Sequence, residues 1–116
     1  MKLVVNYWVV PGLDSVKREI QTDRVFACIE KVTGIRRMMI ESKNRSWDVG
    51  DARKLFILIM RNVAKKTTTE TGRLINRDHS TIVYSQIECN KLLEFNKDFA
   101  RMYDQVKSMV LNPYSL

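Results

Sequence analysis

The position of the two prolines is the feature that most constrains the fold of this chain. Pro11 and Pro113 stand near the ends, so positions 12–112 contain no proline that would break a helix. Apolar residues recur at helical spacing within this stretch. The most regular row forms one apolar stripe and consists of Phe99, Met102, Tyr103, Val106, Met109 and Val110. The sequence therefore predicts an all-α domain.

Cap and stop residues divide the first half of this stretch. We expect a helix from Asp14 or Ser15 that ends at Gly34, either continuous or interrupted at Gln21-Thr22-Asp23. A short helix over 35–40 and a polar loop over 41–50 should follow. With Asp51 as its N-cap, the next helix should extend to about residue 66. It contains the apolar run 55–60, which is apolar nearly all round and is typical of a central buried helix.

The second half predicts a short helix and two long ones. Thr67 and Glu70 fit a capping box that opens a helix to about residue 75. Asn76 tolerates a left-handed turn, and Asp78 or Ser80 can cap a helix to about residue 95. Its inward side should hold Ile82, Val83, Ile87, Leu92 and Leu93, and the two cysteines, Cys28 and Cys89, should be core residues.

The first residues differ from the rest of the chain. Over residues 1–12, β-branched and aromatic residues predominate up to Pro11-Gly12, which predicts an extended arm or short strand ahead of a single helical domain over 13–116. The arm could pack on this domain or on a second copy, so a homodimer formed through it is one expectation.

Composition excludes several classes of protein. The four glycines form no phosphate-binding loop, so we expect no nucleotide, no cofactor and no catalytic residue. Two cysteines and one histidine are too few for a zinc site, so no metal is expected, and unpaired cysteines suggest the cytoplasm. The longest apolar run has six residues, which predicts no membrane span.

Positive charge is concentrated in one segment. The net charge is +7, and residues 36–66 carry nine basic and three acidic residues, which accounts for +6 of it. Such an excess is typical of a surface that meets a polyanion, most often nucleic acid, although a solvated charged face would have the same composition.

The helix order from residue 53 to residue 95 is long, short, turn, long, which is the layout of a helix-turn-helix. Its second long helix would begin in the sequence Arg77-Asp78-His79-Ser80-Thr81. Asp accepts from cytosine, Ser and Thr bond either type of base, and a Thr methyl or His ring contacts a thymine methyl. These residues are therefore candidates for base contacts in the major groove.

The same stretch, residues 77–85, resembles the signature of the C-terminal DNA-binding domain of the bacterial replication initiator DnaA. That signature has Arg-Asp-His, two hydroxyl residues and an apolar pair. The similarity continues upstream in the short helix 35–40, the basic loop at Lys43 and Arg45, Ala52-Arg53 and the threonines before Gly72. The resemblance implies a helix-turn-helix bundle of five to six helices, as in that domain and the Trp repressor.

The resemblance also implies roles for individual residues. Lys43 and Arg45 would enter the minor groove, and Arg53 would contact phosphate. Thr68 and Thr69 would hold the DNA backbone, and Arg77 to Thr81 would face the major groove. The expected partner is double-stranded DNA with a site similar to a DnaA box, bound by a freestanding domain without ATPase activity that acts in replication or transcription.

Several interpretations stay open at this stage. A basic face could instead bind an acidic protein, and structured RNA is a third partner class. Trp47 is interpreted as an anchor for the basic loop rather than a stacking platform. The sequence departs from the family at Ile75-Asn76, where the family has two glycines, and at Trp47, Asp48 and Asp51, which make the loop less basic. These departures bear on which sequence is bound.

Overall fold

The computed structural model describes residues 20–112, and within that range the regular secondary structure is entirely helical. The helices of this range are α1 (Thr22–Thr33), α2 (Arg37–Glu41), α3 (Trp47–Asn62), α4 (Thr68–Leu74), α5 (His79–Phe95) and α6 (Lys97–Leu111). The prediction of an all-α helix-turn-helix bundle is confirmed. The expected arm over 1–12 and a helix start at Asp14 lie outside the described residues.

Helix α3 forms the centre of the bundle. It packs against α1, α5 and α6, and also contacts α2 and α4. Its apolar run, residues 55–60, is at most 2% exposed at every position, and Phe56 stacks on Phe26 of α1 with ring centroids 4.4 Å apart. Because neighbours surround α3, burial on all sides of the helix stabilises it, as the apolar run predicts.

Helices α1 and α6 close one side of this core. The predicted stripe on α6 is confirmed, with Phe99, Tyr103, Val106 and Val110 buried and Met102 and Met109 packed beside them. Arg24 of α1 donates to the carbonyls of Met109 (2.8 Å) and Val110 (3.2 Å) at the end of α6. Helix α1 ends as predicted at Gly34, whose φ of 79° requires a left-handed backbone.

The predicted start of α3 is wrong. The loop spans only 42–46, the extended residue Ser46 occupies the N-cap position, and Asp51 lies inside the helix. The added first turn buries Val49 and leads into Ala52, so core packing extends the helix beyond the charged residues that suggested a loop. Trp47 does not anchor the loop, because it is 87% exposed.

The predicted inward face of α5 is also partly wrong. Ile82 and Cys89 are fully buried, and Leu92 and Leu93 pack partly against the core. Val83 and Ile87, in contrast, are 42% and 51% exposed. Only one side of α5 meets the other helices, and its second apolar set faces solvent. Both cysteines are buried, as predicted, and burial raises the pKa of the Cys89 thiol to about 12.

Candidate nucleic-acid interface

A capping box fixes the start of α4. The backbone N–H of Glu70 donates to Thr67 Oγ1 at 3.0 Å, and the backbone N–H of Thr67 donates to Glu70 Oε1 at 3.1 Å. The bond that the Thr67 N–H donates to the carboxyl is the main cause of the lowered pKa of Glu70. The predicted box is therefore confirmed, and Thr67 serves as the cap, while Thr68 and Thr69 form the first turn of α4.

A tight turn joins α4 to α5. The carbonyl of Gly72 accepts hydrogen bonds from the N–H groups of Arg77 (2.8 Å) and Ile75 (3.1 Å), and Asn76 has a left-handed φ of 60°. A Cβ atom at Gly72 would lie 2.3 Å from the carbonyl oxygen of Arg77. The close approach of α4 to the start of α5 therefore requires glycine at this position.

The first turn of α5 presents polar side chains to solvent. Asp78 is the N-cap, and its Oδ1 accepts from the N–H of Thr81 at 2.9 Å. This bond is the main cause of the lowered pKa of the Asp78 carboxyl. His79, Ser80 and Thr81 are exposed at this end of the helix, where the free N–H groups create a partial positive charge.

The loop over residues 42–46, here called the basic loop, carries Lys43 and Arg45, both exposed. Its path is set by short-range hydrogen bonds. The N–H of Ser46 donates to Asn44 Oδ1 at 2.8 Å, and the N–H of Asn44 donates to Ser42 Oγ at 3.2 Å. Such side-chain contacts replace the missing helical bonds and keep the two basic side chains on the outside.

Two arginines connect the basic loop to the rest of the bundle. Arg53 of α3 donates through Nε to Ile40 O (3.0 Å) and through Nη2 to Ser42 O (3.0 Å). Arg77 donates through Nη2 to the same Ser42 oxygen at 2.8 Å and through Nη1 to Ile75 O at 3.0 Å. Burial, together with the charge of Arg77, lowers the pKa of Arg53. The basic loop and the start of α5 are therefore held in a fixed relation.

A cleft of about 470 Å³ lies between the basic loop, α3 and α5, and is called the basic cleft below. Its wall consists of Lys43, Arg45, Gly50, Arg53, Lys54, Ile57, Asn76, Arg77, Thr81 and Ser85. Five of these residues are cationic, and none of the described residues of the lining is acidic. Low-dielectric walls around charges of one sign strengthen the local potential, so the basic cleft attracts anions.

The structure brings together half of the sequence-predicted site residues. Lys43, Arg45, Arg53, Arg77 and Thr81 line the basic cleft, and His79 and Ser80 stand at the exposed start of α5. Asp78 is adjacent as the cap. Thr68 and Thr69 lie on α4 and do not line the basic cleft.

Sequence reasoning missed three polar residues of the lining. They are Lys54, Asn76 and Ser85. Ser85 lies one helical turn after Thr81, and Lys54 lies one turn after Gly50, so both could have been found from helical spacing. Within residues 20–112, no group of three or more His, Cys, Asp or Glu could hold a metal ion. None of the helices in that range is long and apolar enough to cross a bilayer.

Comparisons with known proteins give a consistent result. The family model described as "Bacterial dnaA protein helix-turn-helix" matches residues 22–88. Curated relatives include the chromosomal replication initiator proteins DnaA of Aliarcobacter butzleri (21% identical, 86% of this chain and 23% of that protein) and Thermodesulfovibrio yellowstonii (23%, 89% and 24%). That of Ureaplasma parvum serovar 3 is 29% identical over 68% of this chain and 18% of its own length. The chain thus spans less than a quarter of each of these relatives.

Proposed function

Since this chain belongs to the bacterial DnaA helix-turn-helix family, we propose that it binds double-stranded DNA with a preference for particular sequences. The resemblance first noted at residues 77–85 is confirmed by the match over residues 22–88. DNA binding is what membership of the family supports. The sequence preference is our proposal, as is the assignment of individual residues.

One observation carries the proposal. The basic loop and the first turn of α5 lie on the two sides of a single basic cleft with five cations. A helix enters the major groove, whereas an extended basic segment fits the minor groove, and the sugar-phosphate backbone runs between the two grooves. We propose that this backbone runs along the basic cleft, so that both grooves are contacted at once.

The residues take distinct roles in this proposal. In the major groove, Asp78, His79, Ser80 and Thr81 face base edges, and in the minor groove Lys43 and Arg45 supply the cations. Thr68 and Thr69, in the first turn of α4, lie against the backbone.

The two half-buried arginines, Arg53 and Arg77, act differently from the exposed residues. Arg53 donates to carbonyls of the chain itself through Nε and Nη2, and Arg77 does so through both Nη atoms. We propose that these arginines mainly position the basic loop and the start of α5. Nη1 of Arg53 makes no hydrogen bond within residues 20–112 and is the atom available for a phosphate oxygen.

The proposed activity is non-catalytic. Support comes from the sequence, whose four glycines form no phosphate-binding loop, and from the family match, which covers a helix-turn-helix. We therefore propose a cytoplasmic protein that acts in replication or transcription by occupying DNA sites and does not hydrolyse ATP.

The test is fluorescence anisotropy of the purified chain with two labelled duplexes. One carries a DnaA box and the other a scrambled version, each at low and physiological salt. We expect tighter binding to the box at both salt concentrations. His79→Ala should weaken binding to the box by about 1–3 kcal/mol and reduce the preference. Arg45→Ala should weaken binding to both duplexes and lower the salt slope by about one.

Matched variants control for general effects of substitution. Asn90→Ala changes an exposed polar residue on the same helix as His79, and Lys107→Ala removes an exposed cation on α6. Both should bind like the wild type. Equal affinity for both duplexes would refute the sequence preference and indicate only a basic surface that attracts DNA. An absence of binding at low salt would refute DNA binding and favour an acidic protein as the partner of the basic face.

A further inference from the structure

The outward side of α5 carries an apolar face formed by Val83, Tyr84 and Ile87. These side chains are 42%, 73% and 51% exposed. Tyr84 and Ile87 follow Ser80 at i+4 and i+7 and precede Lys91, so the four residues form one row along the helix. Val83 lies beside this row, four residues after His79. The row therefore passes from polar to apolar to basic side chains.

This apolar face is not explained by the core. Ile82 and Cys89 already fill the inner side of α5, and they are fully buried. Single exposed apolar side chains are common on protein surfaces, but three adjacent ones on a helix that begins with proposed base-contacting residues form a contiguous patch. A patch of this kind marks a contact surface, and its position on α5 indicates the partner.

We propose that Val83, Tyr84 and Ile87 continue the base-contacting surface of α5 and take the C5-methyl groups of thymine. This inference rests on the proposed function and specifies the base composition that the site would prefer. Thymine is the base that presents a methyl group in the major groove, and apolar side chains recognise it. The DNA site should therefore contain A·T pairs beyond those opposite His79 to Thr81.

Distances along the helix support DNA as the occupant. Seven residues separate Ser80 from Ile87, which is about 10 Å at 1.5 Å per residue. A recognition helix lies in the major groove, which is about 12 Å wide, so over this length α5 keeps Ile87 within reach of the groove. Lys91, one turn further, is exposed and would meet phosphates at the groove edge. On the other side of the helix, Thr81 and Ser85 line the basic cleft.

The experiment is a binding selection from two random duplex libraries, one made with thymine and one with uracil. Uracil lacks only the C5-methyl group, so base pairing is unchanged. From the thymine library the wild-type chain should enrich sites with several A·T pairs next to the core of the site. Moving the enriched site into uracil DNA should weaken binding by about three- to fourfold for each methyl in contact.

Variants identify the side chains. We expect a smaller difference in affinity between thymine and uracil DNA for each of Val83→Ala, Tyr84→Ala and Ile87→Ala. The control is Leu111→Ala, which shortens an exposed aliphatic side chain at the end of α6 and should leave this difference unchanged. Tyr84→Phe should retain it, since the ring remains. Circular dichroism checks that each variant is folded.

The outcomes separate this inference from the proposed function. If the chain enriches the same site from both libraries and binds thymine and uracil DNA equally, the methyl contacts are refuted while sequence-preferring DNA binding stands. If all three variants keep the wild-type methyl dependence, other residues make those contacts and the assignment to this face is refuted. If neither library is enriched, the proposed function itself fails.

Discussion

The substitution Gly72→Ala adds a single methyl group and should destabilise the contact between α4 and the start of α5. Gly72 lies in α4, where its carbonyl accepts from the N–H of Arg77 at 2.8 Å, and an added Cβ would lie 2.3 Å from the Arg77 oxygen and 3.2 Å from Ile82 Cγ1. Real Cβ contacts are essentially never shorter than 3.0 Å, so Gly72→Ala forces the two backbones apart by at least 0.7 Å, the difference between 3.0 and 2.3 Å. Because the opposing atom belongs to the backbone, no side-chain rotation can relieve the clash.

The cost follows from two opposing effects. Overpacking of a tight contact costs about 1–3 kcal/mol, and loss of the Gly72 to Arg77 hydrogen bond adds about 1 kcal/mol. Alanine offsets about 0.5–1 kcal/mol of this loss in stability, because it restricts the unfolded chain and favours the helix. We therefore expect Gly72→Ala to lower the free energy of unfolding by about 1–3 kcal/mol. It should also weaken DNA binding, because Arg77 would no longer reach Ser42.

Gly50→Ala is the matched control for stability. Gly50 lies within α3, and a Cβ atom there would meet nothing within 4 Å. This variant should raise the free energy of unfolding by about 0.5–1 kcal/mol, so the two substitutions have opposite signs. Urea unfolding followed by circular dichroism measures both. A Gly72→Ala protein as stable as the wild type, with unchanged DNA affinity, would refute the argument from close approach.

Three further outcomes follow from the site. Arg77→Lys keeps the charge but loses the forked donors to Ser42 and Ile75. In anisotropy titrations we expect this variant to show a reduced sequence preference and an unchanged dependence of affinity on salt. A weaker dependence on salt would instead indicate that Arg77 contacts phosphate directly. Thr67→Ala should cost about 0.5–2 kcal/mol in urea unfolding, whereas Thr67→Ser should retain most of the stability; equal losses would exclude the cap as the cause. Asp78 has a lowered carboxyl pKa, so its stabilisation is complete above the unfolded-state pKa and is lost as pH falls through the lower folded-state value. Unfolding experiments between pH 7 and 3 should show a smaller loss on acidification for Asp78→Asn, and an unchanged pH profile would contradict this role.

Local signals were sufficient for much of the fold. The stop at Gly34, the capping box at Thr67 and the left-handed Asn76 each depend on a few neighbouring residues. Helix α5 begins at His79 and ends at Phe95, close to the bounds that its cap and length predicted. The site could be anticipated in the same way, because charge concentration and a short family signature are both properties of a continuous segment.

Features that depend on contacts between distant segments could not be anticipated. The start of α3 moved to Trp47 because burial of Val49 outweighs the charges around it. The sequence predicts both Ile82 and Ile87 as inward residues of α5, and only the placement of the neighbouring helices decides that Ile82 is buried and Ile87 exposed.

The sequence by itself determined the basic charge and the helices of residues 20–112, since net charge, periodicity and caps are local properties, and the signature at residues 77–85 indicated the DnaA helix-turn-helix family. Tertiary structure alone decided that Arg53 and Arg77 converge on one carbonyl, that of Ser42, and that a basic cleft forms between the basic loop and α5. The physical reason is that hydrogen bonds and burial act between residues far apart in the chain, such as Arg77 and Ser42, and no local pattern specifies which distant groups will meet.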